Sequence, residues 1–133
     1  MIQKFVDAFI AAKSDIETGL RDEHPRDYED LVKRVVKIIS KTDSYASPDP
    51  ERITVIDHGD YQGTKLFIIS EKGFQPSRYW AIFVSYGSCS GCDTFEAIGA
   101  DGSDPPTEKQ VNEYWTLMLH MIQGMRQIGG YEE

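Results

Sequence analysis

The chain has 133 residues and a formal net charge of −8, from 22 acidic and 14 basic side chains. Its 40% hydrophobic residues, with two Trp, seven Tyr and six Phe, suffice for one core, so a single α+β domain over residues 1–133 is expected and a disordered chain is excluded. The acid surplus argues against direct nucleic-acid binding, which calls for excess Lys and Arg, and no apolar run reaches the roughly 18 residues of a membrane-spanning helix.

Residues 2–18 read as an amphipathic helix. Ile2, Phe5, Val6, Phe9, Ile10 and Ile16 recur at three- and four-residue spacing, and Gly19 is a plausible stop. Charges interrupt the apolar N-terminal stretch, which lacks a signal-peptide pattern. A cytoplasmic chain is therefore expected, with Cys89 and Cys92 as thiols rather than a structural disulfide. Residues 21–26, with His24-Pro25, form a connector.

A second helix spans about residues 28–41. Asp27 is its N-cap, and Glu29 and Asp30 sit in the first turn, where the helix dipole favours acid. Leu31, Val32, Val35, Val36, Ile38 and Ile39 face the core. Lys33, Arg34, Lys37 and Lys41 form the one basic stripe of an acidic chain. That stripe reads as a solvated face, or as a surface for phosphate or an acidic partner.

Residues 42–51 form a loop around the breaker cluster Ser47-Pro48-Asp49-Pro50. Three strand signals follow, at 53–57, 65–70 and 79–86, each rich in β-branched and aromatic residues. The links are too short for helical crossovers, so an antiparallel meander is expected. The third strand is apolar on both faces, which suggests that both are at least partly covered. Asp93-Thr94-Phe95-Glu96 has capping-box spacing and starts a short helix at 94–98. After a turn-rich loop, Thr107 to Gln110 is a second box and opens a long helix over 108–127. Its buried stripe is Val111, Tyr114, Trp115, Met118, Ile122, Met125 and Ile128. The expected order is two N-terminal helices, a three-stranded meander, a short helix and a long C-terminal helix.

In such a meander, the first hairpin loop and the loop after the third strand leave the sheet at the same end. Asp57, His58, Asp60, Tyr61 and Gln62 would then lie within reach of Cys89, Ser90, Cys92 and Asp93, and Ser88 and Gly91 of the same loop join the binding candidates. Three chemistries fit these residue types. Cys89-x-x-Cys92 before a helix start suits thiol redox, although the strand order departs from thioredoxin-like folds. Cys89, Cys92 and His58, with Asp60 or Asp57, could hold zinc. Alternatively the glycines and serines shape a turn whose N–H groups hold an anion or carboxylate, with the cysteines as small buried packers. We favour the third. A Cys–His–Asp hydrolase from Cys89 or Cys92, His58 and Asp60 is a more permissive match. Walker, dinucleotide-binding and nucleophile-elbow motifs are missing, which points away from an enzyme.

The blocks Gly59-Asp60-Tyr61-Gln62-Gly63-Thr64 and Tyr86-Gly87-Ser88-Cys89-Ser90-Gly91-Cys92-Asp93-Thr94-Phe95 resemble those of small proteins encoded by phages and prophages. The resemblance covers residues 57–98 and carries no assigned catalytic residue. It implies a context: small acidic phage proteins often bind a host factor, including nucleases of host defence, in the manner of anti-CRISPR proteins. The expected function is a non-enzymatic binding protein, an inhibitor of a host nucleic-acid-processing or defence enzyme, acting in the host cytoplasm. The alternative is a zinc or thiol-redox protein built on Cys89, Cys92 and His58. The apolar helices are also compatible with a homodimer.

Overall fold

The structure, a computed structural model, describes residues 2–41, 47–59, 63–72, 78–86, 94–99 and 104–129. The elements are α1 (Ile2–Ala11), α2 (Lys13–Asp22), α3 (Tyr28–Ile39), β1 (Pro48–Gly59), β2 (Gly63–Glu71), β3 (Arg78–Tyr86), α4 (Thr94–Gly99), α5 (Glu108–Gln123) and β4 (Arg126–Gly129). The strands form one antiparallel sheet in the order β1-β2-β3-β4. The fold is thus α+β, with the helices on one face of the sheet. Among the described residues, no helix is long and apolar enough to cross a membrane.

Alternation along the strands builds the core. Val55, Phe67 and Ile82 stand in register on the inner face, as do Ile53, Ile69 and Trp80. Phe67, Ile69, Trp80 and Ile82 are all buried. Phe5 of α1 meets Trp80 edge-on at 5.8 Å, and Phe9 stacks on Trp115 of α5 at 5.5 Å. Tyr114, Met118 and Ile122 complete the buried stripe of α5.

The structure corrects the sequence reading at four places. The first predicted helix is two helices, broken at Ala12, whose N–H is shared between the Ala8 and Phe9 carbonyls. No proline or glycine marks the break. It lies where the chain passes from α1, packed on α3 and α5, to α2, packed on α5. Gly19 does not stop the helix. Leu20 is fully buried, and that burial is worth roughly 1.5–3 kcal/mol, against the ~1 kcal/mol that a helical glycine costs.

Second, Pro48 to Pro50 belong to β1, with a register shift between Pro48 and Ile53. β1 is an edge strand, where a missing N–H is tolerated. Third, the C-terminal helix ends at Gln123, capped by Gly124. Met125 is buried beyond it, and Ile128 is exposed on a strand instead of filling the helix stripe. Fourth, the sheet has four strands and not three. Arg126–Gly129 pairs with Arg78–Ala81 and satisfies backbone groups of β3 that a longer helix would leave bare.

Two caps read from the sequence are present, and both extend further than expected. At α3, Asp27 accepts the Asp30 N–H at 2.8 Å. Asp30 in turn accepts the Arg26 N–H at 2.9 Å and pairs with Arg34 at 3.3 Å. Burial alone would push the Asp30 carboxyl up. The Arg26 N–H and the Arg34 charge outweigh it and hold the group below the ordinary aspartate value. At α5, Gln110 is buried. Its Oε1 accepts the Thr107 N–H at 2.8 Å, and its Nε2 donates to the Ile98 carbonyl at 2.9 Å. One side chain thus caps the start of α5 and the end of α4.

A lowered folded pKa stabilises above the unfolded value and is lost as pH falls through the folded one. Asp30→Asn should therefore lose about 1 kcal/mol near neutrality, and the difference from wild type should shrink below about pH 4. Urea unfolding across that range checks it. Gln110→Glu keeps the acceptor for Thr107, removes the donor to Ile98 and buries a charge. It should destabilise by about 2 kcal/mol, and an unchanged urea midpoint would contradict the shared cap.

Candidate functional site

The register tests the strand geometry behind the expected site. Gly63 lies between Gly59 of β1 and Tyr86 of β3, and Thr64 lies between His58 and Ser85. The end of β1, the start of β2 and the end of β3 are therefore side by side. Asp60, Tyr61, Gln62, Ser88, Cys89, Ser90, Gly91, Cys92 and Asp93 lie outside the described residues, and of His58 only the strand position is described. Among the described residues, no three His, Cys, Asp or Glu side chains gather as a metal would require.

The segment after that end is tied to the helices. The Phe95 N–H donates to the Tyr28 hydroxyl at 3.1 Å, and the Phe95 ring lies 5.2 Å from Tyr28 and 5.8 Å from Tyr114. The Tyr114 hydroxyl is 2.7 Å from His24 Nδ1. This aromatic chain joins α4, α3, α5 and the connector before α3.

The outer face of the sheet is the surface that sequence reasoning missed. Alternation places Thr54, Ile68, Ala81 and Arg126 in one row, and Ile56, Leu66 and Phe83 in the next. Tyr79 and Ile128 pair at one end; Thr64 and Ser85 pair at the other. Phe83 is 63% exposed, Ile56 51% and Ile128 47%. None of these positions carries a carboxylate, in a chain where 22 of 133 residues do. Arg126 is the charged member of these pairs; Arg52, one step beyond Thr54 on the same alternation, pairs with Asp49 at 3.4 Å. β4 pairs with β3 only as far as Ala81. Beyond it, Phe83 and Ser85 border a recess of about 250 Å³ that Leu117, His120 and Met121 also line.

The expectation that both faces of β3 are at least partly covered holds on the inner face, and on the outer face as far as the half-buried Tyr79 and the buried Ala81. Beyond them, Phe83 stands open. The available sequence signal was the lack of acid at alternate positions of the strands. The basic stripe on α3 is partly spent on its own helix. Lys33 pairs with Glu29 at 3.8 Å and Arg34 with Asp30, while Lys37 and Lys41 border a cleft facing α2.

Compared with known proteins, the chain matches no family model, no curated protein and no solved structure.

A side chain that stands open to solvent contributes little to the fold. Phe83→Thr keeps a β-favouring residue and should change stability by less than about 1 kcal/mol. The same variant should bind less of an apolar-surface dye such as anilinonaphthalene sulfonate. A loss of several kcal/mol would show that Phe83 serves the core.

Proposed function

We propose that this chain is a small, acidic, non-enzymatic binding protein that docks a protein partner on the outer face of its sheet. The observation that carries this reading is the apolar row Ile56, Leu66 and Phe83, in which Ile56 and Phe83 stand open to solvent and no carboxylate takes part. Contiguous apolar patches on soluble chains mark interaction sites. Interface centres are poor in acid and rich in aromatic residues and Arg, which suits Phe83, Tyr79 and Arg126. A helix-covered sheet with a bare apolar face also leaves one layer unpartnered.

The partner we propose is a host nucleic-acid-processing or defence enzyme, and the chain a phage-type inhibitor of it. The net charge of −8 supports this choice. Enzymes that handle nucleic acid present basic surfaces, and an acidic binder is steered toward them. The apolar face would supply the contact area, and the acidic remainder of the surface the attraction and the exclusion of nucleic acid.

The test is capture from host lysate by three tagged forms: wild type, Ile56→Lys with Phe83→Lys, and a helix-side control, Gln3→Ala. Wild type and control should recover one stoichiometric partner and inhibit it after purification. The double variant should lose it by at least about tenfold, as expected when two central contacts of an interface are removed. Equal recovery by the double variant would remove the sheet face from the proposal.

A further inference from the structure

A second surface lies on the helical side, away from the sheet face. Helices α2 and α3 both pack on α5 and leave between them a cleft of about 550 Å³. Ile16, Ile38 and Met118 make its apolar floor. Asp15 and Asp22 of α2, with Glu23 just beyond, line one side. Lys37 of α3, with Lys41 just beyond, lines the other; Arg34 also borders the cleft but is held by Asp30.

Three features single this cleft out. Its size falls in the range of small-molecule sites, roughly 300–1,000 Å³. Its opposite charges do not answer each other: among the described residues, Asp15, Asp22, Glu23, Lys37 and Lys41 make no ion pair, so the two walls stand farther apart than the 4.0 Å of such a pair. Finally, Gly19 lies inside α2 on the cleft wall, and a Cβ there would meet nothing within 4 Å. The fold gains nothing from this glycine, since alanine would favour the helix by ~1 kcal/mol. A missing side chain on a cleft wall lets an occupant approach the backbone.

We propose that the cleft binds a small zwitterion with an apolar body, such as a short apolar peptide with free ends. The ammonium group would lie at Asp15, Asp22 and Glu23, and the carboxylate at Lys37 and Lys41. The side chains would cover Ile38 and the edge of Ile16, above the buried Met118. The charge pattern selects this class. An anion meets the acidic wall and the net charge of −8, a cation meets the lysines, and a neutral apolar ligand leaves both walls unanswered. Only a molecule carrying both signs is favoured by both walls.

The probe is trileucine with free ends, titrated at low ionic strength and followed through backbone amide shifts. The control is the same peptide acetylated and amidated. The free peptide should shift the amides of Ile16, Gly19 and Lys37 and bind at least about tenfold more tightly than the blocked one, since both charged contacts are then lost. Lys37→Glu with Lys41→Glu should weaken the free peptide by a similar factor. Gly19→Leu improves helix propensity, enters open space and fills the cleft, so it should fold and lose binding. Equal binding of free and blocked peptide, shifts confined to other residues, or full binding by Gly19→Leu would each overturn the proposal. None of these readouts involves the protein partner, so the sheet-face reading stands or falls separately.

Discussion

Side-chain alternation along β3 is the constraint on which the molecule depends. Trp80, Ile82 and Val84 point into the helix layer, whereas Ala81, Phe83 and Ser85 point away from it. A slip of one residue would exchange the two sets, burying Ser85 and exposing Trp80. The core and the open face are therefore two results of one register. That register is fixed by β2 along the whole of β3 and by β4 along its first half.

The helix layer closes around α5. Phe9 reaches it from α1, Leu20 from α2, and the Tyr28–Phe95–Tyr114 cluster from α3 and α4. Gln110 ties the end of α4 to the start of α5 through a buried amide. These contacts anchor the chain just after the expected Cys-bearing stretch. The carboxylates of Asp15, Asp22 and Glu23 border this helix layer, while the outer rows through Ala81 and Phe83 carry none.

Much of this was legible in the residues. The buried stripe of α3, its cap at Asp27, the Thr107–Gln110 box and the first three strands all follow from local periodicity and capping chemistry. The strand order follows from short links, and it correctly brings the ends of β1 and β3 together. What sequence did not reveal is set by distant partners. The break at Ala12 answers to packing on α5, and β4 answers to the bare edge of β3. Met125 and Ile128 fit a helical stripe as well as a strand, and Gly124 was the one local clue to the change. Prolines at 48 and 50 read as breakers because nothing local says that a strand is at an edge. The outer face was half legible. Apolar residues on both sides of β3 were visible, but which side the helices cover is a matter of tertiary packing.

The central claim is that the outer sheet face is where a protein partner docks. Hydroxyl-radical footprinting of the isolated protein and of its complex tests it most directly. Phe83, Ile56 and Ile128 should label strongly in the isolated protein and be protected in the complex, while Trp80 and Phe5 stay unlabelled in both. Protection that falls on α1, α2 and α3 while Phe83 still labels would contradict it, as would a Phe83 already shielded in the isolated monomer.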